Sequence, residues 1–138
     1  DIALAAGAAG VHLGADDVPA AVVRRFAGPD FIIGASVGDD SELALAAGAD
    51  YVGIGPVFGT TTKSDAGSAI GIVKLVRLAR ACAPTPSVAV GGVTAEGAAD
   101  IMSEAAQAGV RGVAVVRAIF GAAHPGEAAR AIRRAMGR

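Results

Sequence analysis

Apolar and polar positions along the chain repeat one short pattern several times. An Ala-rich stretch of helical composition is followed by a glycine and then by β-branched residues, in segments that begin at Ala3, Ala44 and Ala105. Glycine tolerates the left-handed conformation that ends a helix, and β-branched residues suit buried strands. Two more apolar runs lie between these segments. The pattern therefore predicts five strands, near 10–14, 31–36, 51–56, 87–91 and 112–116.

Helical stretches separate these strands, and the first residues also have helical composition. We predict helices near 17–27, 40–47, 68–82, 95–108 and 126–136. Regular alternation of strand and helix indicates a parallel sheet with helices outside it. Glycine-rich strand ends favour the (β/α)8 TIM barrel over an open doubly wound sheet. Because five strands cannot close such a barrel, we expect one domain, 1–138, that is an N-terminally truncated portion of a barrel.

Composition excludes several classes of protein. Hydrophobic residues make up 53% of the 138 residues and charged residues 18%, which excludes a disordered chain. The net charge of -1 gives no basic field for nucleic acid. A single cysteine excludes an internal disulfide and a multi-cysteine metal site. With no long apolar run and no signal peptide, we expect a soluble, cytoplasmic protein.

The polar loop at 56–68 is the strongest candidate for a functional segment. It follows the third strand and contains Thr60, Thr61, Thr62 and Lys63. Three hydroxyls and one cation among glycines can hold a phosphate. By composition alone, an ordinary solvated loop explains the segment better.

Other candidates follow the remaining strands. Gly91 and Gly92 allow a phosphate to approach the backbone, or only bend the chain. Arg117 either adds a charge there or faces solvent. Asp17, next to Asp16, is either a Mg²⁺ ligand beside a diphosphate or a helix N-cap.

Two polar residues belong to the strands themselves. Ser36, at the end of the second strand, either hydrogen-bonds a ligand or is a small turn residue. Alternation places His12 on one side of the first strand, as an interior histidine. We assign no chemistry to His124, and Cys82 is expected to be a small buried apolar residue.

Together these segments resemble the thiamine-phosphate synthase family. The most specific segment is 49–63, ADYVGIGPVFGTTTK, and the others are 10–17, 33–36, 89–93 and 112–119. The resemblance implies a TIM barrel and a Mg²⁺-dependent transfer. This reaction joins 4-amino-2-methyl-5-hydroxymethylpyrimidine diphosphate to a thiazole phosphate, giving thiamine phosphate and diphosphate.

The resemblance also implies roles for individual residues. Asp17 resembles the Mg²⁺ ligand, Ser36 the residue that contacts the pyrimidine, and Lys63 the cation beside the diphosphate. Ser36 and Lys63 are thereby the catalytic candidates. The remaining substrate-binding candidates resemble the positions around the thiazole phosphate; they are Thr60, Thr61, Thr62, Gly92, Val116 and Arg117.

Two segments of the family have no counterpart in this sequence, an Arg-x-Lys and an Asn-Asp that supply diphosphate contacts and a second Mg²⁺ carboxylate. We therefore expect the 138-residue chain alone to be inactive. Two alternatives stay open. One is a thiazole tautomerase-like isomerase, against which the TTTK loop argues. The other is a non-catalytic phosphate-binding fragment or subunit, completed by another chain or part of an oligomer.

Overall fold

Five parallel strands form one sheet in the computed structural model, which describes residues 1–60 and 67–137. The strands follow one another in space in chain order. Each neighbouring pair is parallel, so all five carboxyl ends lie at the same edge of the sheet. This confirms the predicted five-stranded parallel α/β architecture. The strands are β1 (Gly10–Leu13), β2 (Ile32–Val37), β3 (Tyr51–Ile54), β4 (Ser87–Val90) and β5 (Val110–Ala114).

Helices connect consecutive strands, as parallel pairing requires. Short 3-10 helices occupy Asp40–Glu42 and Ala106–Ala108. No helix in the described part of the chain is long and apolar enough to cross a membrane. The α-helices are α1 (Ile2–Ala5), α2 (Ala20–Ala27), α3 (Gly71–Cys82), α4 (Ala95–Ala105), α5 (Arg117–Phe120) and α6 (Pro125–Ala135).

The segment predicted as a helix at 40–47 differs most from the prediction. Only one 3-10 turn forms, and turns continue to Gly48. Most of its backbone bonds join residues three apart, such as Leu45 N–H to the Glu42 carbonyl. Side chains also bond locally: the Asp39 carboxylate accepts from Ser41 N–H, and Glu42 accepts from Gly38 N–H. Both bonds cap the start of the turn, with Asp39 at its N-cap, but the backbone beyond it keeps mainly the i to i+3 bonds of a 3-10 helix and of turns.

Several predicted boundaries are shifted by a few residues. Helix α2 begins at Ala20 rather than at 17, with Pro19 at its N-cap, and α3 begins at Gly71 rather than at 68. Strand β5 lies two residues earlier than predicted, because pairing with β4 begins directly after Gly109. The left-handed φ of +103° at Gly109 confirms its predicted place after a helix.

The hydrophobic core lies between one face of the sheet and the helices. Side chains of alternate strand residues enter it, and α3 and α4 supply the opposite layer. Its largest fully buried members include Val52, Ile54, Leu75, Leu78 and Ile101. A second buried cluster joins Ile33 of β2 to Ala20 and Val23 of α2.

The opposite face of the sheet, here called the inner face, carries a different set of residues. The register pairs His12 with Gly34, Gly34 with Tyr51, and Ser36 with Gly53. Paired residues project to the same side of a sheet, so these five share the inner face. Three of them carry polar side chains, which places polar chemistry on this face.

An ion pair joins two elements at the other edge of the sheet. The Arg24 guanidinium of α2 lies 2.6 Å from Asp50 Oδ2, and it also donates to the carbonyl of Phe31. Asp50 Oδ2 accepts from the N–H of Ile33 in β2 at 2.7 Å. That backbone bond, together with Arg24, holds the pKa of Asp50 below its usual value.

Candidate functional site

The predicted site residues follow the carboxyl ends of different strands. Asp17 comes after β1, Ser36 lies near the end of β2, Thr60 follows β3 and Gly92 follows β4. Arg117, preceded by Val116, follows β5 and begins α5. Because all five strands are parallel, these loops meet at one edge of the sheet. Thr61, Thr62 and Lys63 lie outside the described residues.

A hydrogen-bonded cluster of three polar side chains lies on the inner face. His12 Nε2 is 3.1 Å from Ser36 Oγ, and His12 Nδ1 is 3.0 Å from Tyr51 Oη. The His12 and Tyr51 rings are tilted by 36°, with centroids 5.5 Å apart. A neutral imidazole donates from one nitrogen and accepts on the other, so the ring links a hydroxyl donor to a hydroxyl acceptor.

Glycines leave the space in which this cluster forms. A Cβ at Gly34 would overlap both the Tyr51 ring and the His12 imidazole. A Cβ at Gly53 would lie 3.2 Å from His12 Cε1. The strands therefore carry small residues where the imidazole crosses them, and a larger side chain at Gly34 would separate His12 from Tyr51.

Asp17 uses one carboxylate oxygen within its own loop. Its Oδ2 accepts from the N–H of Gly14 at 2.7 Å, directly after β1. The structure does not place it at the N-cap of α2, which begins three residues later behind Pro19. The N-cap of α2 is Pro19 and no side chain caps this helix, so the predicted alternative of a helix N-cap at Asp17 is wrong. The Asp17 side chain is exposed at the strand-end edge.

The glycine pair after β4 packs against the loop that follows β3. Gly91 and Gly92 have φ values of +93° and +63°, which other residues rarely adopt. A Cβ at Gly91 would lie 2.6 Å from Pro56 Cα, and one at Gly92 would overlap the carbonyl oxygen of Gly59. The glycine pair thus bends the chain, and it also places Gly92 against Gly59, which directly precedes Thr60.

The residues after β5 are open to solvent at the same edge. Val116 is 55% exposed, and its carbonyl accepts from the N–H groups of Ile119 and Phe120, which closes the single turn of α5. Arg117 is exposed at the first position of that turn. The predicted alternatives for Arg117, a phosphate contact or a solvent-facing residue, both fit this position.

Acidic residues follow β2 at this edge. The Arg77 guanidinium of α3 donates to both oxygens of Asp40, and this lowers the pKa of that carboxyl. The hydroxyl and N–H of Ser41 lower the pKa of Asp39. Arg77 therefore ties the segment that follows β2 to α3.

Two sequence candidates lie away from the cluster. His124 is exposed before α6, which agrees with its having no assigned chemistry. Cys82 is half-buried at the end of α3, and burial raises the pKa of its thiol. The thiol of Cys82 is thus mostly protonated and unreactive at neutral pH.

The sequence predicted Ser36 as a candidate ligand contact and His12 as an interior histidine, and it gave Tyr51 no role. In the structure His12 lies on the inner face but is exposed. Alternation along β3 indicates that Tyr51 and Gly53 project to the same side of the sheet. That this is also the side of Ser36 follows only from the pairing of Tyr51 with Gly34 and of Gly53 with Ser36. Register is a property of the sheet and not of one strand, so a single sequence does not display it.

The family model and the similar proteins of known name point to the same family. The family model described as thiamine monophosphate synthase matches residues 1–119. The chain is 47% identical over 135 residues to a thiamine-phosphate synthase of Methanoculleus marisnigri, covering 96% of this chain and 62% of that protein. It is 44% identical over 135 residues to one of Moorella thermoacetica, with coverage of 96% and 62%.

Solved structures agree with this result. A thiamine phosphate pyrophosphorylase from Pyrococcus furiosus superposes with a TM-score of 0.80 at 37% identity, covering 99% of this chain and 63% of that one. A 3-hexulose-6-phosphate synthase shares the fold, with a TM-score of 0.66 at 23% identity. The chain spans about three fifths of the length of these thiamine-phosphate enzymes. By its sequence and its fold, the chain belongs to the thiamine monophosphate synthase family.

Proposed function

We propose that this chain carries the larger part of the active site of a thiamine-phosphate synthase. The reaction joins 4-amino-2-methyl-5-hydroxymethylpyrimidine diphosphate to a thiazole phosphate and releases diphosphate. The observation that carries this proposal is the Ser36–His12–Tyr51 cluster on the inner face. It lies beside the edge where the phosphate-binding candidates follow β3, β4 and β5.

The cluster is suited to hold a polar heterocycle. Ser36 and Tyr51 offer hydroxyls that donate and accept, and His12 fixes both through its ring nitrogens. Gly34 and Gly53 leave the space that the Tyr51 ring and the His12 imidazole occupy. His12 is exposed on this face, where a flat ring could lie against it. We assign the aminopyrimidine of the substrate to this position, with Ser36 in contact with it.

The strand-end loops are assigned to the phosphate groups. Hydroxyls of Thr60, Thr61 and Thr62 and the backbone at Gly92 would hold the thiazole phosphate, with Val116 and Arg117 beside it. Lys63 would lie against the diphosphate, where a cation stabilises the negative charge that develops on the leaving group. Because each substrate would be held by its own phosphate group, the thiazole nitrogen would be aligned with the pyrimidine methylene carbon that it attacks.

Asp17 is assigned to a Mg²⁺ ion. Its exposed carboxylate provides the hard oxygen ligand that Mg²⁺ prefers, and Asp16 is adjacent. Within the described residues no three carboxylate, histidine or cysteine side chains are grouped for a metal. One carboxylate fits Mg²⁺, which commonly retains waters and binds substrate phosphates. Bound there, the ion would neutralise charge on the leaving diphosphate.

In this assignment the C–O bond between the pyrimidine methylene and the diphosphate breaks first, and diphosphate takes the electron pair. The thiazole nitrogen then forms a bond to the methylene carbon of the pyrimidine cation. Ser36, His12 and Tyr51 hold the ring in place during both steps. Lys63 would contact the departing diphosphate, and Asp17 would hold the Mg²⁺ ion that offsets its charge.

The experiment uses this chain joined to the part of the Methanoculleus marisnigri relative that it does not match. We expect this chimera to form thiamine phosphate from both substrates with Mg²⁺, and the 138-residue chain alone to form none. Asp17→Asn keeps an oxygen that accepts from Gly14 N–H but removes the charge, so activity should fall about 100-fold or more. Ser36→Ala should lower it roughly tenfold.

The control is Glu127→Gln on the exposed side of α6, which should leave activity unchanged. Each variant is checked for cooperative thermal unfolding. A folded, active chimera that is insensitive to both Asp17→Asn and Ser36→Ala would contradict the proposed site. Turnover by the 138-residue chain at the rate of the intact relative would contradict the expected inactivity.

A further inference from the structure

We propose that Phe58 is a positioning residue whose ring sets the distance between Thr60 and Gly92. The inference rests on the proposed function, which assigns both residues to one phosphate group. Phe58 lies in the loop after β3, two residues before Thr60, and it is half-buried against the hydrophobic core. Its ring reaches the first turn of α4, beyond the glycine pair that follows β4.

Gly97 provides the space that the ring occupies. It is the third residue of α4 and is buried, and its N–H donates to the Thr94 hydroxyl at 3.2 Å. A Cβ at Gly97 would lie 2.7 Å from Phe58 Cε2 and 3.3 Å from Cζ, closer than carbon atoms pack. Any side chain at this position must therefore displace the ring.

Backbone contacts transmit the position of the ring to the candidate phosphate ligands. Phe58 N–H donates to the Gly91 carbonyl at 3.1 Å, and Val57 N–H donates to the Val90 carbonyl at 2.8 Å. A Cβ at Gly92 would lie 2.9 Å from the carbonyl carbon of Phe58. Phe58 is thus held against both glycines, and displacing it moves the backbone leading to Thr60 relative to Gly92.

The far end of the same loop is tied down separately. Ile70 N–H donates to the Pro56 carbonyl at 2.8 Å, and Gly71 N–H donates to the Val57 carbonyl at 3.0 Å. These bonds hold the base of the loop against the start of α3. The ring of Phe58, against Gly97, holds the beginning of the loop against α4.

The test is phosphate binding by the ¹⁵N-labelled 138-residue chain. Inorganic phosphate is titrated, and the amide signals of Gly92 and Thr60 report the affinity. Gly97→Ala pushes on the ring and should weaken binding roughly tenfold. The matched control is Gly126→Ala in the first turn of α6, where a Cβ would lie 3.5 Å from the flexible Arg130 Nη1. This control should bind phosphate like the unmodified chain.

A compensating variant separates positioning from stability. Phe58→Leu shortens the side chain that the new methyl group meets, so Gly97→Ala with Phe58→Leu should recover most of the lost affinity. A merely structural contact would change the unfolding midpoint and leave the phosphate affinity of the folded chain unchanged. If Gly97→Ala does not fold, Phe58→Leu alone is measured, and it should weaken phosphate binding while the chain stays folded.

The outcomes distinguish the two proposals. If phosphate shifts neither Gly92 nor Thr60 in the unmodified chain, the proposed phosphate site is wrong and this inference is wrong with it. If phosphate shifts both but Gly97→Ala binds as tightly, or the double variant recovers nothing, only the role of Phe58 is wrong. If Phe58→Leu alone binds phosphate as tightly as the unmodified chain, the role of Phe58 is likewise wrong.

Discussion

His12 Nε2 lies 3.1 Å from Ser36 Oγ, although the two residues are 24 positions apart and belong to different strands. The contact exists because β1 and β2 pair in parallel with His12 opposite Gly34, one step along the inner face from Ser36. The same imidazole reaches Tyr51 on β3 through its other nitrogen. Three neighbouring strands thus share one hydrogen-bonded cluster.

Tyr51→Phe should loosen this cluster without removing the aromatic ring. The His12 Nδ1 loses its hydroxyl partner, so the balance between the two neutral imidazole tautomers should shift. Nitrogen NMR of the His12 ring measures that shift directly. In the active chimera we expect the KM for the pyrimidine diphosphate to rise several-fold, since one neutral hydrogen bond contributes about 1 kcal/mol. Unchanged ring nitrogen signals would contradict the hydrogen bond.

Gly34→Ala should disrupt the cluster by steric overlap. The added methyl would meet both the Tyr51 ring and His12 Nδ1, and we expect unfolding free energy to fall by about 1–3 kcal/mol. Gly112→Ala is the matched control, because nothing lies within 4 Å of a Cβ there. Urea unfolding of both variants gives the comparison. Equal stability of the two variants would show that the inner face has more room than the structure indicates.

Asp50→Asn should lower stability at neutral pH and have less effect in acid. The folded chain holds the Asp50 pKa below its ordinary value, so the carboxylate stabilises the fold above pH 3.9, the usual Asp pKa, by about 1 kcal/mol or less. That stabilisation is lost as the pH falls through the lowered pKa, where the carboxylate becomes protonated.

The measurement is urea unfolding of Asp50→Asn and the unmodified chain at pH 7 and near pH 3. Asp100→Asn, on the exposed side of α4, is the control for removing one negative charge. A difference between Asp50→Asn and the unmodified chain that grows toward pH 3 would contradict the assigned direction of the pKa.

Ser87→Ala should leave stability unchanged or raise it. Ser87 Oγ is fully buried at the start of β4 and has no hydrogen-bond partner within the described residues. A buried hydroxyl without a partner carries a desolvation cost, so its removal should raise the free energy of unfolding by up to about 1 kcal/mol.

Thr94→Ala should instead lower the free energy of unfolding by about 1 kcal/mol, because the Thr94 hydroxyl caps α4. Chemical denaturation of both variants tests the contrast; a destabilised Ser87→Ala would indicate an unrecognised partner for the hydroxyl.

The strands and helices could be predicted from the sequence because their conformations depend on neighbouring residues. A glycine after an Ala-rich stretch indicates the end of a helix, and a run of β-branched residues indicates a strand. Five strands and most helices were therefore predicted, with errors of two or three residues at the ends. The prediction was wrong at 40–47, where Asp39 caps a single 3-10 turn and the backbone continues in turns as far as Gly48. Whether a short capped segment continues as an α-helix depends on its packing in the fold, which composition does not reveal.

The candidate site was readable only in part. Asp17, Ser36, Thr60 and Gly92 were selected because parallel strands end at one edge, a rule that follows from topology alone. Tyr51 entered the site through register, and Phe58 entered it through a contact with Gly97. These two aromatic residues look like ordinary apolar positions in the sequence.

The sequence by itself determined the strand and helix order, the parallel sheet, the family resemblance and the edge at which polar loops gather. Periodicity and glycine placement suffice for these, because they reflect backbone conformation within each segment. Only the tertiary structure decided that His12 links Ser36 to Tyr51, that Gly92 packs beneath Gly59, and that Gly97 makes room for Phe58. These contacts join residues far apart in the chain, and their geometry depends on register and on close packing between elements.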